Sequence, residues 1–159
     1  MAIEVKLKTN QKLVSKNYIR LATKLPRFIE QGLEKAGFHL LDIIRTKTSK
    51  GQDFRGRPFA PYSEGYLKRL QKENRPTVVD LIYDNRMMGS LTPSSTVKKT
   101  GRNKISLAFS NSQMRTRALF NQVLGNTKRE FFGFNSRTEN IIGKAFNRFV
   151  EKQIRNSRI

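Results

Sequence analysis

A helical period of apolar residues spans residues 15–48 and constrains the fold of this chain more than any other feature. Within this region the apolar positions from Ala22 to Ile43 form one continuous stripe about five to six turns long, which predicts an amphipathic helix whose apolar face must be covered by other elements. Pro26 lies near its start, so either the helix begins near Leu25 or a shorter helix bends there. The apolar positions, three or four residues apart, are Ala22, Leu25, Ile29, Leu33, Ala36, Leu40 and Ile43.

Two alternating patterns predict β-strands. Residues 3–8 alternate apolar and charged side chains, as expected of a strand with one buried face. Residues 94–99 and 104–110 form the clearest hairpin signal in the chain, because a turn containing Gly101 separates them. The sequence therefore predicts a small antiparallel sheet.

Capping residues predict the remaining helices. Ser63 and Asp84 each precede a short helical segment. Ser136 and Glu139 have the spacing of a capping box and precede an apolar helical face that runs close to the C-terminus. Residues 113–124 are ambiguous between helix and irregular structure.

Together these patterns predict an α+β fold, in which a long N-terminal helix and a C-terminal helix pack on a small antiparallel sheet with a protruding hairpin. At this length, a single core is expected. The predicted organisation is one domain over residues 1–159, with an N-terminal strand and helix in 1–50, a loop and short helices in 51–93, a hairpin in 94–110 and a C-terminal helix in 136–156.

The composition removes most catalytic chemistry. Cysteine is absent, which excludes a thiolate nucleophile and a Cys-based metal site. The single histidine, His39, excludes any site that needs two imidazoles. Asp80 and Asp84, four residues apart, fit a helix start better than the clustered carboxylates of a metal-dependent nuclease. We therefore expect no enzymatic activity, no cofactor and no bound metal.

The N-terminal pattern also bears on localisation. Apolar residues alternate there instead of forming a continuous run, which does not fit a signal peptide. No apolar run approaches the roughly 20 residues of a membrane span. We therefore expect no membrane association.

Positive charge is concentrated in particular segments. The chain has 32 Lys and Arg against 12 Asp and Glu, a net charge of +20. No acidic residue lies between Asp84 and Glu130, so the predicted hairpin and the segment after it carry only basic charges. Basic residues also recur along the terminal helix, opposite Phe146 and Val150. The predicted DNA-facing or partner-facing basic residues are Lys98, Lys99, Arg102, Lys104, Arg115, Arg117, Lys144, Arg148, Lys152 and Arg155.

Each basic helix face, taken alone, fits the solvated side of an amphipathic helix. The long stretch without acids needs a further explanation, because ordinary surfaces interleave both signs and a large net charge opposes compaction. A polyanionic partner would relieve this repulsion. Nucleic acid and an acidic protein surface both satisfy the requirement, and the sequence does not separate them.

Four short segments resemble motifs that occur in one order in a known family. They are 51–66, similar to G-x-x-W-x-P-L-S; 81–91 (LIYDNRMMGSL), similar to L-x-x-T-G-x-L-x-x-S; 119–125, similar to YA-x-x-HQ-x-G; and 129–134, similar to R-x-F-L-G-L. With these motifs the chain resembles phage virion morphogenesis and tail completion proteins, the Mu-type and related neck or tail-component families.

The resemblance implies a structural role at the head–tail interface of a virion. It implies a homo-oligomeric ring, with a hexamer expected, that joins the connector or portal side to tail-terminator or tail-tube proteins. The implied localisation is the virion neck or tail, and the host cytoplasm during assembly. Basic side chains facing the lumen would make non-specific contact with the genomic DNA. The alternative is a small basic nucleic-acid-binding protein.

Overall fold

The structure is a computed structural model, which describes the backbone of residues 11–157 and the side chains of residues 14–157. The predicted strand at 3–8 lies outside the described residues. The fold mixes helix and sheet, as the sequence predicts. Its elements are α1 (Gln11–Ser49), α2 (Glu64–Lys72), α3 (Arg86–Gly89), α4 (Pro93–Thr96), β1 (Val97–Gly101), β2 (Lys104–Leu107), α5 (Ser112–Leu119), a π-helical turn (Phe120–Leu124) and α6 (Ser136–Asn156).

Helix α1 continues through Pro26, so the predicted helix start near Leu25 is wrong. The predicted bend at this proline stays a prediction. The helix has 39 residues and is therefore about 58 Å long. Proline removes one hydrogen bond from a helix interior. The end of α6 lies beside this part of α1, where Phe28 and Gln31 share a groove with Gln153. After the proline, the packing of α6 against α1 around Gly32 supports the helix, whereas most of the described side chains before it are exposed.

The buried face of α1 overlaps the predicted apolar stripe only in part. Ala36 of the stripe is buried and Ala22 is exposed, whereas Leu41 and Ile44, next to the stripe, are buried in the core. Two glycines also lie on the packed side, because α6 and the hairpin approach α1 closely. A Cβ atom on Gly32 would lie 2.9 Å from ring carbons of Phe146 in α6.

The two strands form an antiparallel hairpin that packs against α1. Val97 pairs with Leu107, and the register shifts by a bulge before Gly101. At Gly37 of α1, an added Cβ would lie 2.8 Å from the Cγ1 atom of Val97. The outer bounds of the predicted hairpin are wrong. Residues 94–96 belong to α4, where the Thr92 side chain accepts a hydrogen bond from the Ser95 amide, and the second strand ends at Leu107 instead of 110.

A single core joins the helices, the hairpin and the loops. It contains Leu41 and Ile44 of α1, Leu91 from the segment after α3, and Phe109 from the segment after β2. The ring of Phe131 is edge-on to that of Phe109, with centroids 6.3 Å apart. The aromatic segment before α6 thereby fills the space between α1 and the chain that follows the hairpin.

The helix caps differ from the predicted ones. Asn135, not Ser136, caps α6, because its side chain accepts a hydrogen bond from the Thr138 amide. Ser63 precedes α2 as predicted, but its side chain makes no capping hydrogen bond. Asp84 accepts from the Arg86 amide at 3.1 Å, but the N-cap position of α3 is Asn85 and not Asp84.

Candidate interaction surfaces

The predicted hairpin cations differ in whether they form an ion pair. Lys98, Arg102 and Lys104 are exposed, and within the described residues none of them lies within 4.0 Å of a carboxylate. The Nζ atom of Lys99 instead lies 2.6 Å from Glu30 of α1. Lys99 therefore fastens the hairpin to the long helix, and the other three side chains are available to a partner.

A cleft of about 320 Å³ separates the hairpin from α1. Lys99 and Lys104 line one wall, and Arg27, Glu30 and Glu34 line the other. Because both signs of charge face this cleft, it has no single preference for an anion or a cation.

Arg115 and Arg117, predicted to face a partner, make structural contacts. The guanidinium of Arg115 donates to the Phe109 carbonyl at 3.2 Å. Arg117 Nη1 lies 2.8 Å from Asp84. The Arg117 guanidinium, with the Arg86 amide, lowers the pKa of the Asp84 carboxyl. The charge of Arg117 is thus balanced, whereas Arg115 meets only a neutral oxygen.

The basic residues of α6 form an exposed ridge. Lys144, Arg148 and Lys152 are exposed, and Arg155 lies 3.5 Å from Glu151 one turn earlier. The half-buried Phe146 faces α1 at Gly32. The structure thus separates the cations of this helix from its packing face.

The structure has an exposed apolar surface that the sequence did not predict, which we call the apolar patch. It consists of Leu119 at the end of α5 and of Phe120, Val123 and Leu124 in the π turn. These side chains are 47, 54, 51 and 58% exposed, respectively. The only signal in the sequence was the clustering of apolar residues in a segment without a clear helical face, which left 113–124 ambiguous.

Polar side chains hold the apolar patch in place. Gln122 donates to the Phe132 carbonyl and accepts from the Phe132 amide, both at 3.0 Å. The Arg129 amide donates to the Asn121 carbonyl at 2.6 Å and closes the loop after the π turn. The backbone of the patch is therefore fixed by groups that point inward, while its apolar side chains remain outside.

A second exposed apolar surface lies near the N-terminal end of α1, which we call the helix-1 tip. Val14, Tyr18 and Ile19 are exposed there, with the exposed cations Lys16 and Arg20 between and beside them. Spacings of four and five residues put the apolar side chains on neighbouring parts of the helix surface.

In a small cluster of tyrosines, arginine guanidinium groups lie over two of the rings. Tyr62 and Tyr66 are edge-on, with centroids 4.8 Å apart. The guanidinium carbon of Arg129 lies 5.0 Å from the Tyr62 ring centroid, and that of Arg75 lies 4.3 Å from the Tyr83 ring centroid. These cation–π contacts compete with nucleobase stacking on the same rings.

The candidate catalytic residues of the sequence do not assemble. In the part of the chain that the structure describes, no group of three or more His, Cys, Asp or Glu could hold a metal ion. Asp80 accepts a hydrogen bond from the Ile82 amide at 2.9 Å, and Asp84 pairs with Arg117. Neither carboxylate is directed into a shared site. Among the described helices, none has the length and hydropathy of a membrane span.

Comparison with protein-family models, with curated proteins and with solved structures finds no match to this chain.

Proposed function

We propose that the chain is a non-enzymatic assembly protein of a phage head–tail interface, and that it acts as a subunit of a ring between the connector and the tail. The motif order along the sequence motivates this proposal. The single observation that carries it is that, in the part of the chain that the structure describes, two separate surfaces of apolar side chains are exposed.

A joining subunit has to contact its own copies and also proteins of different sequence. Contiguous exposed apolar side chains with polar or charged borders are typical of interaction surfaces. The apolar patch and the helix-1 tip belong to different elements, α5 with the π turn and α1. Two such surfaces fit the two kinds of contact that a ring subunit needs.

In this proposal, the basic residues of the hairpin would face the DNA. Lys98, Arg102 and Lys104 of the hairpin, free of described carboxylates, would lower the electrostatic cost of confining DNA phosphates if this side faced the lumen. In that position they would bind DNA weakly and without sequence preference.

A second candidate, a nucleic-acid-binding protein, is favoured by the same three hairpin cations. A regulatory binder would prefer its site over random sequence by a factor of about a thousand or more. Equal binding to random and selected duplexes would argue for the assembly role.

Deletion of the gene from its phage tests the proposal at the level of the particle. We expect DNA-filled heads and complete tails to accumulate separately, and a plasmid copy of the gene to restore joining. Normal virions from the deletion strain would contradict the proposal.

A further inference from the structure

We infer that the apolar patch is the docking site for an acidic amphipathic helix of a neighbouring protein in the assembly. This inference deepens the proposed function and rests on it in one respect: it takes the occupant to be another component of the same particle. Three properties of the patch lead to it, namely its fixed backbone, its apolar side chains and the charge around it.

The first property is preorganisation. The two hydrogen bonds between Gln122 and Phe132, together with the bond from the Arg129 amide to the Asn121 carbonyl, fix the first half and the middle of the π turn. Short π-helical segments occur frequently at functional sites. A surface that is already ordered loses little conformational entropy when a partner binds.

The second property is the arrangement of the apolar side chains. Leu119 and Phe120 lie one turn before Val123 and Leu124, so the four form two adjacent rows about one turn long. A surface of this size matches one or two turns of the apolar face of a helix. It is too short to be a membrane-lying amphipathic helix by itself, since such helices bury a long apolar face.

The third property is the charge around the patch, which selects the partner. Arg115 lies one turn before Leu119 and donates only to a carbonyl. The backbone amide of Arg129 donates to the Asn121 carbonyl, and its guanidinium donates to the carbonyls of Ala60 and Pro61 at 3.3 Å and lies over the Tyr62 ring. Neither charge is balanced by these hydrogen bonds, and the sequence from residue 85 to residue 129 contains no acid.

A second copy of the chain fits this border poorly. The chain has a net charge of +20, and its other exposed apolar surface, the helix-1 tip, is itself bordered by Lys16 and Arg20. Packing that tip on the patch would bring cations against cations. A partner helix with an apolar face and acidic flanks satisfies both parts of the surface.

The test measures binding of a labelled synthetic helix to the full-length protein by fluorescence anisotropy. The probe has leucines along one face and glutamates on the remaining positions. One control peptide replaces every glutamate with glutamine, and a second has the probe's composition in a scrambled order that removes the apolar face. We expect both controls to bind at least tenfold more weakly than the probe.

Protein variants locate the binding site. Phe120→Ser with Leu124→Ser removes the centre of the patch and leaves Gln122 and Asn121 unchanged, and we expect it to weaken probe binding at least tenfold. Val14→Ser with Ile19→Ser removes equally exposed apolar groups from the helix-1 tip and should leave probe binding unchanged. Circular dichroism verifies that both variants remain folded.

Three results would overturn the inference. Equal binding of the probe and its scrambled form would mean that a basic protein attracts any acidic peptide. Equal binding of the probe by the parent protein and the patch variant would place the site elsewhere. A patch-dependent change in self-association, measured by analytical ultracentrifugation, would assign the patch to a second copy of the chain. The deletion experiment is independent of all three, so the proposed function and this inference can fail separately.

Discussion

Gly32 of α1 lies against the ring of Phe146 of α6, so closely that a Cβ atom on Gly32 would be 2.9 Å from the ring carbons Cδ2 and Cε2. The same Cβ would lie 3.1 Å from Val150. These contacts fix how near the two longest helices come to each other. The glycine therefore serves the packing of α6 on α1, although it lowers the intrinsic helix propensity of α1.

We predict that Gly32→Ala destabilises the fold by roughly 1 kcal/mol. Overpacking of the added methyl group against Phe146 costs about 1–3 kcal/mol, and the higher helix propensity of alanine offsets about 0.5–1 kcal/mol of this loss. Gly143→Ala in α6 is the matched control, because its Cβ would meet no atom within 4 Å. It should raise stability by about 0.5–1 kcal/mol. Urea unfolding measures both variants, and an equal gain in both would contradict the close approach at Gly32.

The aromatic segment before α6 offers a second paired test. Phe131 is 1% exposed and Phe134 is 56% exposed. We predict that Phe131→Ala lowers the free energy of unfolding by about 3–5 kcal/mol, because it leaves a cavity in the core. Phe134→Ala should change it by less than about 0.5 kcal/mol. Similar losses for the two variants would mean that the core does not include Phe131.

Asp53, in the loop after α1, makes the stability of the fold depend on pH in the acidic range. The carboxylate is buried and accepts from the amides of Arg55 and Arg57 at 2.8 Å, and from Arg57 Nε at 2.9 Å. Burial alone would raise the pKa of Asp53, but the hydrogen bonds and charge of Arg57, with the Arg55 amide, hold it below its ordinary value of 3.8. Ionised Asp53 therefore stabilises the fold above pH 3.8, and this contribution is lost as pH falls through its lowered pKa.

We predict that Asp53→Asn costs roughly 2 kcal/mol at neutral pH, since hydrogen bonds to a charged group are replaced by weaker ones. The difference from the parent protein should shrink as pH falls from 3.8 through the lowered pKa of Asp53, because the carboxyl of the unfolded chain is protonated first and that of the folded protein last. Thermal unfolding across this pH range measures the change, and Glu64→Gln, at an exposed site, controls for the loss of one negative charge. A difference that stays constant at low pH would contradict this role of Asp53.

The hairpin cations can be tested with DNA. We predict that replacing Lys98, Arg102 and Lys104 with glutamine weakens binding to a random duplex and reduces the salt slope, log Kobs against log salt, by about 2–3, since each lost phosphate contact removes about 0.9. The triple variant Lys16→Gln, Arg20→Gln and Lys24→Gln removes the same charge from exposed positions of α1. If both variants lower the slope equally, net charge and not the hairpin governs DNA binding.

The sequence predicted the type of element correctly where the apolar residues followed a strong helical period. The α6 range is 136–156 in both the prediction and the structure, and the helical period of α1 is real. Intrinsic helix propensity gave wrong predictions at positions where tertiary packing determines whether the helix continues. The helix continues past Pro26, although proline is a probable helix boundary, and Gly32 and Gly37 are sites of close packing instead of simple weak points.

The interaction surfaces could be predicted from the sequence only in part. Charge periodicity identified exposed cations but could not show that Lys99 binds Glu30 or that Arg117 binds Asp84, because both pairings join residues distant in the chain. The apolar patch was missed for a related reason. Its exposure depends on the π turn and on the Gln122 contact to Phe132, neither of which has a periodic signature.

The measurement that tests the proposed function most directly is the copy number of this protein in purified virus particles. Quantitative mass spectrometry with labelled standard peptides would compare it with the major capsid protein. We predict a copy number equal to that of one ring per particle, unchanged after nuclease treatment and repeated banding. Absence of the protein from particles that package DNA normally would contradict the head–tail role.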